Sequence, residues 1–240
     1  MTKKPHPGPE PKTHFDQIPV DVVKKIVRPD DVLEKAATRT DARTIKAAAG
    51  RRHADAGHFH GVQFYKDPDA LCRIVGGFIG DGLGDGTLAI VIATPEHAAR
   101  IETCLRSRGS DVEALKRSGD LVVFDARETL QLFMVDDMPN PGAFRRAMDE
   151  ILTHAGRGRE HCAIRAYGEM VDLLWKDGRE AAAIRLETLW NQLGTTHDFE
   201  LLCGYSMGNF YKGAAIDEIR RQHSHLVDTD GVAASLPVGL

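Results

Sequence analysis

The sequence predicts an α/β domain: a three-layer, mainly parallel sheet, preceded by an arm that is part helical and part disordered. Three observations carry the prediction. From His58 onward, short β-rich runs alternate with longer runs of helical period. The run TLAIVIAT (87–94) is apolar without interruption, as a parallel strand covered on both faces must be. Helical runs also separate the successive strands, so the connections are crossovers. A barrel would need eight such units. An antiparallel sandwich would not place helices between its strands.

The elements follow in order. Residues 1–13 hold four prolines and little that is apolar, which predicts disorder. In residues 14–28, Phe15, Ile18, Val22, Val23 and Ile26 form a short apolar ridge beside Lys24, Lys25 and Arg28. So short a helix needs a surface to lie on, either the body of the chain or a partner. A second helical run reaches Gly50. GVQFY (61–65) reads as the first strand and PDALCRIVGGFIGDGL (68–83) as a helix. TLAIVIAT is the second strand. PEHAARIETCLRSRG (95–109) opens on proline and closes on glycine, as helices do. DVEALKRSG is a short helix and LVVFDA (121–126) the third strand. ETLQLFM and PGAFRRAMDEILTHAG are helical, and HCAIRAYG (161–168) is the fourth strand. EMVDLLWKDG and REAAAIRLETLWNQLG (179–194) are helical, with Trp175 and Trp190 on apolar faces where packing is their expected role. FELLCGYS (199–206) is the fifth strand, IDEIRRQHSHLV (216–227) a last helix, and 228–240 a disordered tail. The expected units are thus an arm over 1–57, a body over 58–227 and the tail.

Composition narrows the function. The formal charge of −4 divides unevenly: residues 1–57 carry 12 Lys/Arg and 8 Asp/Glu, a net of +4, leaving −8 for the remainder. An acidic body repels phosphate, which argues against nucleic acid. No run reaches the roughly 18 apolar residues of a membrane span, and the first residues lack the apolar core of a secretory signal. Cys72, Cys104, Cys162 and Cys203 form no CxxC pair, so buried thiols in a reducing cytoplasm are expected.

In an open α/β sheet, ligands bind beyond the carboxyl ends of the strands. The strand ends here bring Tyr65, Thr94, His97, Asp125, Arg165, Glu169, Cys203 and Tyr205, and a crevice lined by these residues is the expected ligand site. Simpler roles stand beside this one. Thr94 and Asp125 can cap the helices that follow them. Arg165 can pair with Glu169 or Asp125. The glycine run GGFIGDGLGDG (76–86) falls at the end of a helix. The first strand is followed instead by KDPDA, without GK[ST], so a Walker loop and a dinucleotide fingerprint are both excluded. No HExxH or GxSxG motif occurs. A metal or haem site would require His60 to meet His97 or Cys203, and no cofactor is predicted.

Many ordered segments carry a family resemblance. They are His60 with Phe64-Tyr65, Phe78 with GLGDG, ATPEH (93–97), GSDVEALKRSGDLVVFDARETLQLFM, YGEMVDLLW (167–175), AAAIRLETLWNQL (181–193), ELLCGY (200–205) and the final HSHLV. Through them the body, from about 58 to 227, resembles the MEDS family, the methanogen/methylotroph and DcmR sensory domains. The resemblance implies a RecA/KaiC-like core that has lost its phosphate loop. It also implies a ligand-sensing module of bacterial and archaeal signal transduction, including two-component systems, with simple hydrocarbon derivatives as ligands. No kinase core, receiver or helix-turn-helix is legible. The expected function is therefore a non-enzymatic cytoplasmic regulator that binds a small molecule and signals through a protein such as a histidine kinase or another regulator. The alternative is an enzyme using Asp125, Arg165 and Glu169 on a small substrate.

Overall fold

The computed structural model describes residues 59–83, 86–156, 163–209 and 214–236. The arm over 1–57, His161, Cys162 and the end of the tail lie outside them.

The described chain runs β1 (His60–Tyr65), α1 (Pro68–Leu83), β2 (Leu88–Ala93), α2 (Pro95–Ser107), α3 (Val112–Ser118), β3 (Leu121–Asp125) and α4 (Ala126–Gln131). It continues through β4 (Met134–Val135), β5 (Met138–Pro139), α5 (Pro141–Ala155), β6 (Ile164–Gly168), α6 (Met170–Lys176), α7 (Glu180–Gly194) and β7 (Glu200–Ser206). It closes with α8 (Ala214–Arg221), β8 (His225–Val227) and β9 (Ala233–Ser235). The main sheet has the order β3-β2-β6-β7-β1-β8-β9, parallel throughout except for the β8–β9 pair.

Two apolar cores explain the three layers. On one face Leu71, Val75, Ile79, Ile101 and Leu105 of α1 and α2 close over Ala89, Val91 and Leu202. On the other, Phe144, Met148, Leu186 and Trp190 of α5 and α7 close over Ile90, Ile92, Ala166 and Leu201. Every residue of β2 is buried, as its unbroken apolar run requires. The helix starts are chemically defined. Thr94, Asp111, Asp125 and Asn140 each accept a backbone N–H one turn on, at the heads of α2, α3, α4 and α5. Among the described residues, no helix is long and apolar enough to cross a membrane.

Three expectations are corrected. The last helix ends at Arg221, and His225–Val227 instead pairs with β1, because Leu226 and Val227 complete the ladder of an otherwise half-paired strand. The tail over 228–240 is not disordered as far as Ser235. Asp228 accepts the amides of Asp230 and Val232, Gly231 takes φ +82°, and the chain returns as β9. Within ETLQLFM the helix stops at Gln131. Asp136 and Asp137, with φ of 46° and 66°, form a two-residue turn between β4 and β5.

Candidate functional site at the carboxyl ends of the strands

The topology creates the site. The helix after β2 leaves over one face of the sheet and the helix after β6 over the other, and the two strands are neighbours. Their exits part there, and polar groups must close the gap. The Glu169 side chain, 2 % exposed, crosses it. Its Oε1 accepts the Thr94 N–H at 2.5 Å, and its Oε2 lies 2.6 Å from His97 Nδ1 and accepts the Tyr167 hydroxyl at 3.1 Å. At the neighbouring pair, β7 and β1, Asp172 does the same. It accepts the Ser206 N–H at 2.9 Å and the Tyr65 hydroxyl at 3.1 Å, and holds Lys176 Nζ at 2.7 Å. The Tyr65 ring stands edge-on to His97 at 6.0 Å, joining the two carboxylate clusters.

The electrostatics follow from this wiring. The hydrogen bond to Glu169 raises His97 above its ordinary value, against the effect of burial. Burial alone would push the Glu169 carboxyl up, but His97 and the Thr94 amide outweigh it and hold the group below the usual carboxylate range. Burial, then Asp172, raises Tyr65; burial, then Glu169, raises Tyr167. Both phenols therefore stay protonated donors. Tyr167 reaches Glu169 only because position 204 is glycine: a Cβ there would lie 2.8 Å from the Tyr167 hydroxyl.

These directions fix a pH dependence. The raised His97 stabilises the fold fully below its unfolded value of 6.5, and this is lost as pH rises through the higher folded value. The depressed Glu169 contributes fully above its unfolded value of 4.5, and this is lost as pH falls through the folded one. The stability difference between wild type and His97→Gln, measured by urea denaturation, is expected to be largest between these two values and to shrink on either side. A difference independent of pH would show the ion pair to be absent.

Of the eight residues expected in the crevice, Tyr65, Thr94, His97 and Glu169 meet. The others do not. Asp125 caps α4, accepting the amides of Arg127 and Glu128. Arg165 lies at the opposite end of the sheet because β6 begins at Ile164. There it donates to Glu200 at 2.7 Å and to the Phe78 carbonyl at 2.9 Å. Asp125, Arg165 and Glu169 thus form no cluster, and the alternative enzyme site is not assembled. Cys203 and Tyr205 are buried, but strand alternation turns them to the face of α7, away from Leu202. Asp172 and Lys176 were missed. Their signal was an acid inside the apolar run MVDLLW, three residues after Glu169, with a lysine four residues further on.

Two further features bear on ligands. Asp67, in the turn after β1, accepts the Asp69 and Ala70 amides that open α1. A carboxylate therefore caps the N-terminus of α1. Beside the network a groove of about 390 Å³ runs between α1 and α2, lined by Cys72, Arg73, Ala99, Arg100, Thr103 and Cys104 among others. Cys72 Sγ is 3.9 Å from the His97 carbonyl, so the groove abuts the site.

A family model for the MEDS domain, described as the methanogen/methylotroph, DcmR sensory domain, matches residues 59–224. No curated protein matches the chain.

Proposed function

The chain belongs to the MEDS family of sensory domains, and from that premise we propose that it is a non-enzymatic cytoplasmic regulator of bacterial signal transduction. In this reading it binds a small hydrocarbon derivative beside His97 and passes the signal to a protein partner such as a histidine kinase. The observation that carries the reading is the closed Glu169–His97–Tyr65–Asp172 network. Its carboxylates are already saturated by protein donors, which suits a group that rearranges on binding better than one that turns over substrate. His97, with its side chain 12 % exposed, and Lys176, at 37 %, are the members a ligand reaches. The apolar walls of the neighbouring groove suit a small carbon skeleton. The RecA/KaiC-like ancestry implied by the resemblance is compatible with KDPDA, which lacks GK[ST], after β1. The basic arm over 1–57 is then the element that meets the partner.

Native mass spectrometry of the full chain purified from its own host tests the reading. A retained small molecule, lost in His97→Ala, is the expected result. Deletion of residues 1–57 is expected to leave a folded body that keeps this molecule and no longer signals. Stoichiometric turnover that depends on Glu169 would overturn the non-enzymatic assignment. Normal signalling by the truncated protein would overturn the role of the arm.

A further inference from the structure

A second polar cluster lies on the far face of the sheet, apart from the network just described. It gathers the first residue of β1, His60; Glu187 of α7; Cys203 of β7; and His223, just past α8. All four are buried, at 1 %, 0 %, 0 % and 5 % exposure. His60 Nε2 lies 3.2 Å from Glu187 Oε2 and 3.4 Å from Cys203 Sγ. Cys203 Sγ lies 3.6 Å from Glu187 Oε2, and His223 Nε2 lies 3.4 Å from Glu187 Oε1. One donor atom from each residue falls within 4.8 Å of all the others.

We propose that His60, Glu187, Cys203 and His223 form a closed tetrahedral site for a borderline divalent cation of the zinc type. The spacing is the first argument. Metal bonds of about 2.0–2.2 Å to nitrogen and oxygen and about 2.3 Å to sulfur give tetrahedral edges of about 3.3–3.7 Å, close to the 3.2, 3.4 and 3.6 Å that separate His60 Nε2, Cys203 Sγ and Glu187 Oε2.

The second argument is proton placement. His60 Nδ1 faces Asn191 Oδ1 at 2.8 Å, and Asn191 is fixed in that orientation because its Nδ2 donates to the Gln222 carbonyl at 2.8 Å. His223 Nδ1 faces the Ile219 carbonyl at 2.7 Å. Both Nδ1 atoms must carry protons to donate to these oxygens. The neutral rings therefore turn their Nε2 lone pairs toward a carboxylate and a sulfur. Metal-binding histidines are oriented in this way, with the outer ring nitrogen donating to a carbonyl. Tyr205 supplies the matching support for the carboxylate, donating to Glu187 Oε1 at 2.7 Å. His223 Nε2, in contrast, is buried with only the Glu187 carboxylate before it, at 3.4 Å and without hydrogen-bond geometry. Acceptors turned on one another in a dry site need protons or a cation between them.

The third argument is charge. A divalent cation, the Glu187 carboxylate and the Cys203 thiolate sum to zero, the balance a buried site requires. The Cys203 Sγ hydrogen, which faces Glu187 Oε2 at 3.6 Å, leaves to solvent when the cation binds the thiolate. Two imidazoles, one thiolate and one carboxylate in a tetrahedron select zinc over magnesium or calcium. Because the protein fills all four positions, the cation is a staple, holding the start of β1 and the end of α8 to the layer of α7.

The test uses the full chain without a histidine tag, freed of metal by a chelator and titrated with cobalt(II). A single equivalent is expected to bind with the strong visible bands of tetrahedral cobalt and a sulfur-to-cobalt charge-transfer band in the near ultraviolet. Cys203→Ser is expected to abolish that band, and His223→Gln to weaken binding by about tenfold or more. X-ray absorption of the zinc-loaded wild type is expected to show one sulfur and otherwise nitrogen and oxygen neighbours, a readout that survives even if the variants fail to fold. Absence of stoichiometric binding, a six-coordinate oxygen spectrum or a sulfur-free shell would each overturn the site.

Discussion

Glu169→Ala is expected to destabilise the fold by about 3–5 kcal/mol, the cost of breaking a buried charged pair from one side. The substitution removes the acceptor for three donors at once: the Thr94 amide, the Tyr167 hydroxyl and the His97 ring. Tyr167 is fully buried, so its hydroxyl loses the acceptor the fold supplies. Glu169→Gln preserves the volume and one carbonyl oxygen and is expected to cost about half as much, since its NH₂ must then face a donor. Urea denaturation of the three proteins at pH 6 measures both values. A loss below about 1 kcal/mol for alanine would mean that the donors find other partners and that Glu169 does not bridge β2 and β6.

Trp190→Ala is expected to cost a similar amount, about 3–5 kcal/mol, by a different route. The ring is 3 % exposed and packs edge-on between Phe144, at 5.1 Å between centroids, and Phe199, at 6.0 Å. Alanine leaves a cavity that α5 and α7 cannot close, because both are pinned to the sheet. Trp190→Phe, which keeps an aromatic face against Phe144, is expected to recover more than half of the loss. The midpoint of thermal unfolding distinguishes the two variants. Equal midpoints for wild type and alanine would contradict the packing role assigned to this residue. Trp175, edge-on to Tyr205 at 6.0 Å, is held by the same logic.

Much of the fold was legible in the sequence because its signals are local. Uninterrupted apolar runs mark β2 and β7, and Thr94-Pro95 and Asn140-Pro141 mark helix starts. Loss of legibility begins where a segment is decided by its neighbours. His225–Val227 reads as the continuation of a helix, and only the open edge of β1 makes it a strand. The candidate site divides in the same way. Thr94, His97 and Glu169 sit in exits from strands, where position along the chain reports position in space. Arg165 was misplaced by three residues' worth of strand, which spans half the sheet. Cys203 and Tyr205 were assigned to the correct strand but not to a face. The parity that separates them from Leu202 cannot be tied to a layer until the helix crossings are known. Glu187 was hidden in the apolar helix AAAIRLETLW, whose single acid on the Ala183–Trp190 face is apparent only once that face is seen to be buried.

The position of β1 in the sheet has a consequence for biosynthesis. This strand comes first in the described chain, yet its ladder partners are β7 and β8, and the His60 amide donates to Ser224, 164 residues further on. At a translation rate of about 5–20 residues per second, β1 therefore leaves the ribosome roughly 7–28 s before either partner exists. During that interval Val62 and Phe64 have no sheet to enter. The domain's contact order is correspondingly high, and its folding must wait for β7 and β8 and be slow relative to a helical bundle of the same size. Nascent chains stalled before Leu201 should be captured by hydrophobic-binding chaperones, and those stalled well past Val227 should be released.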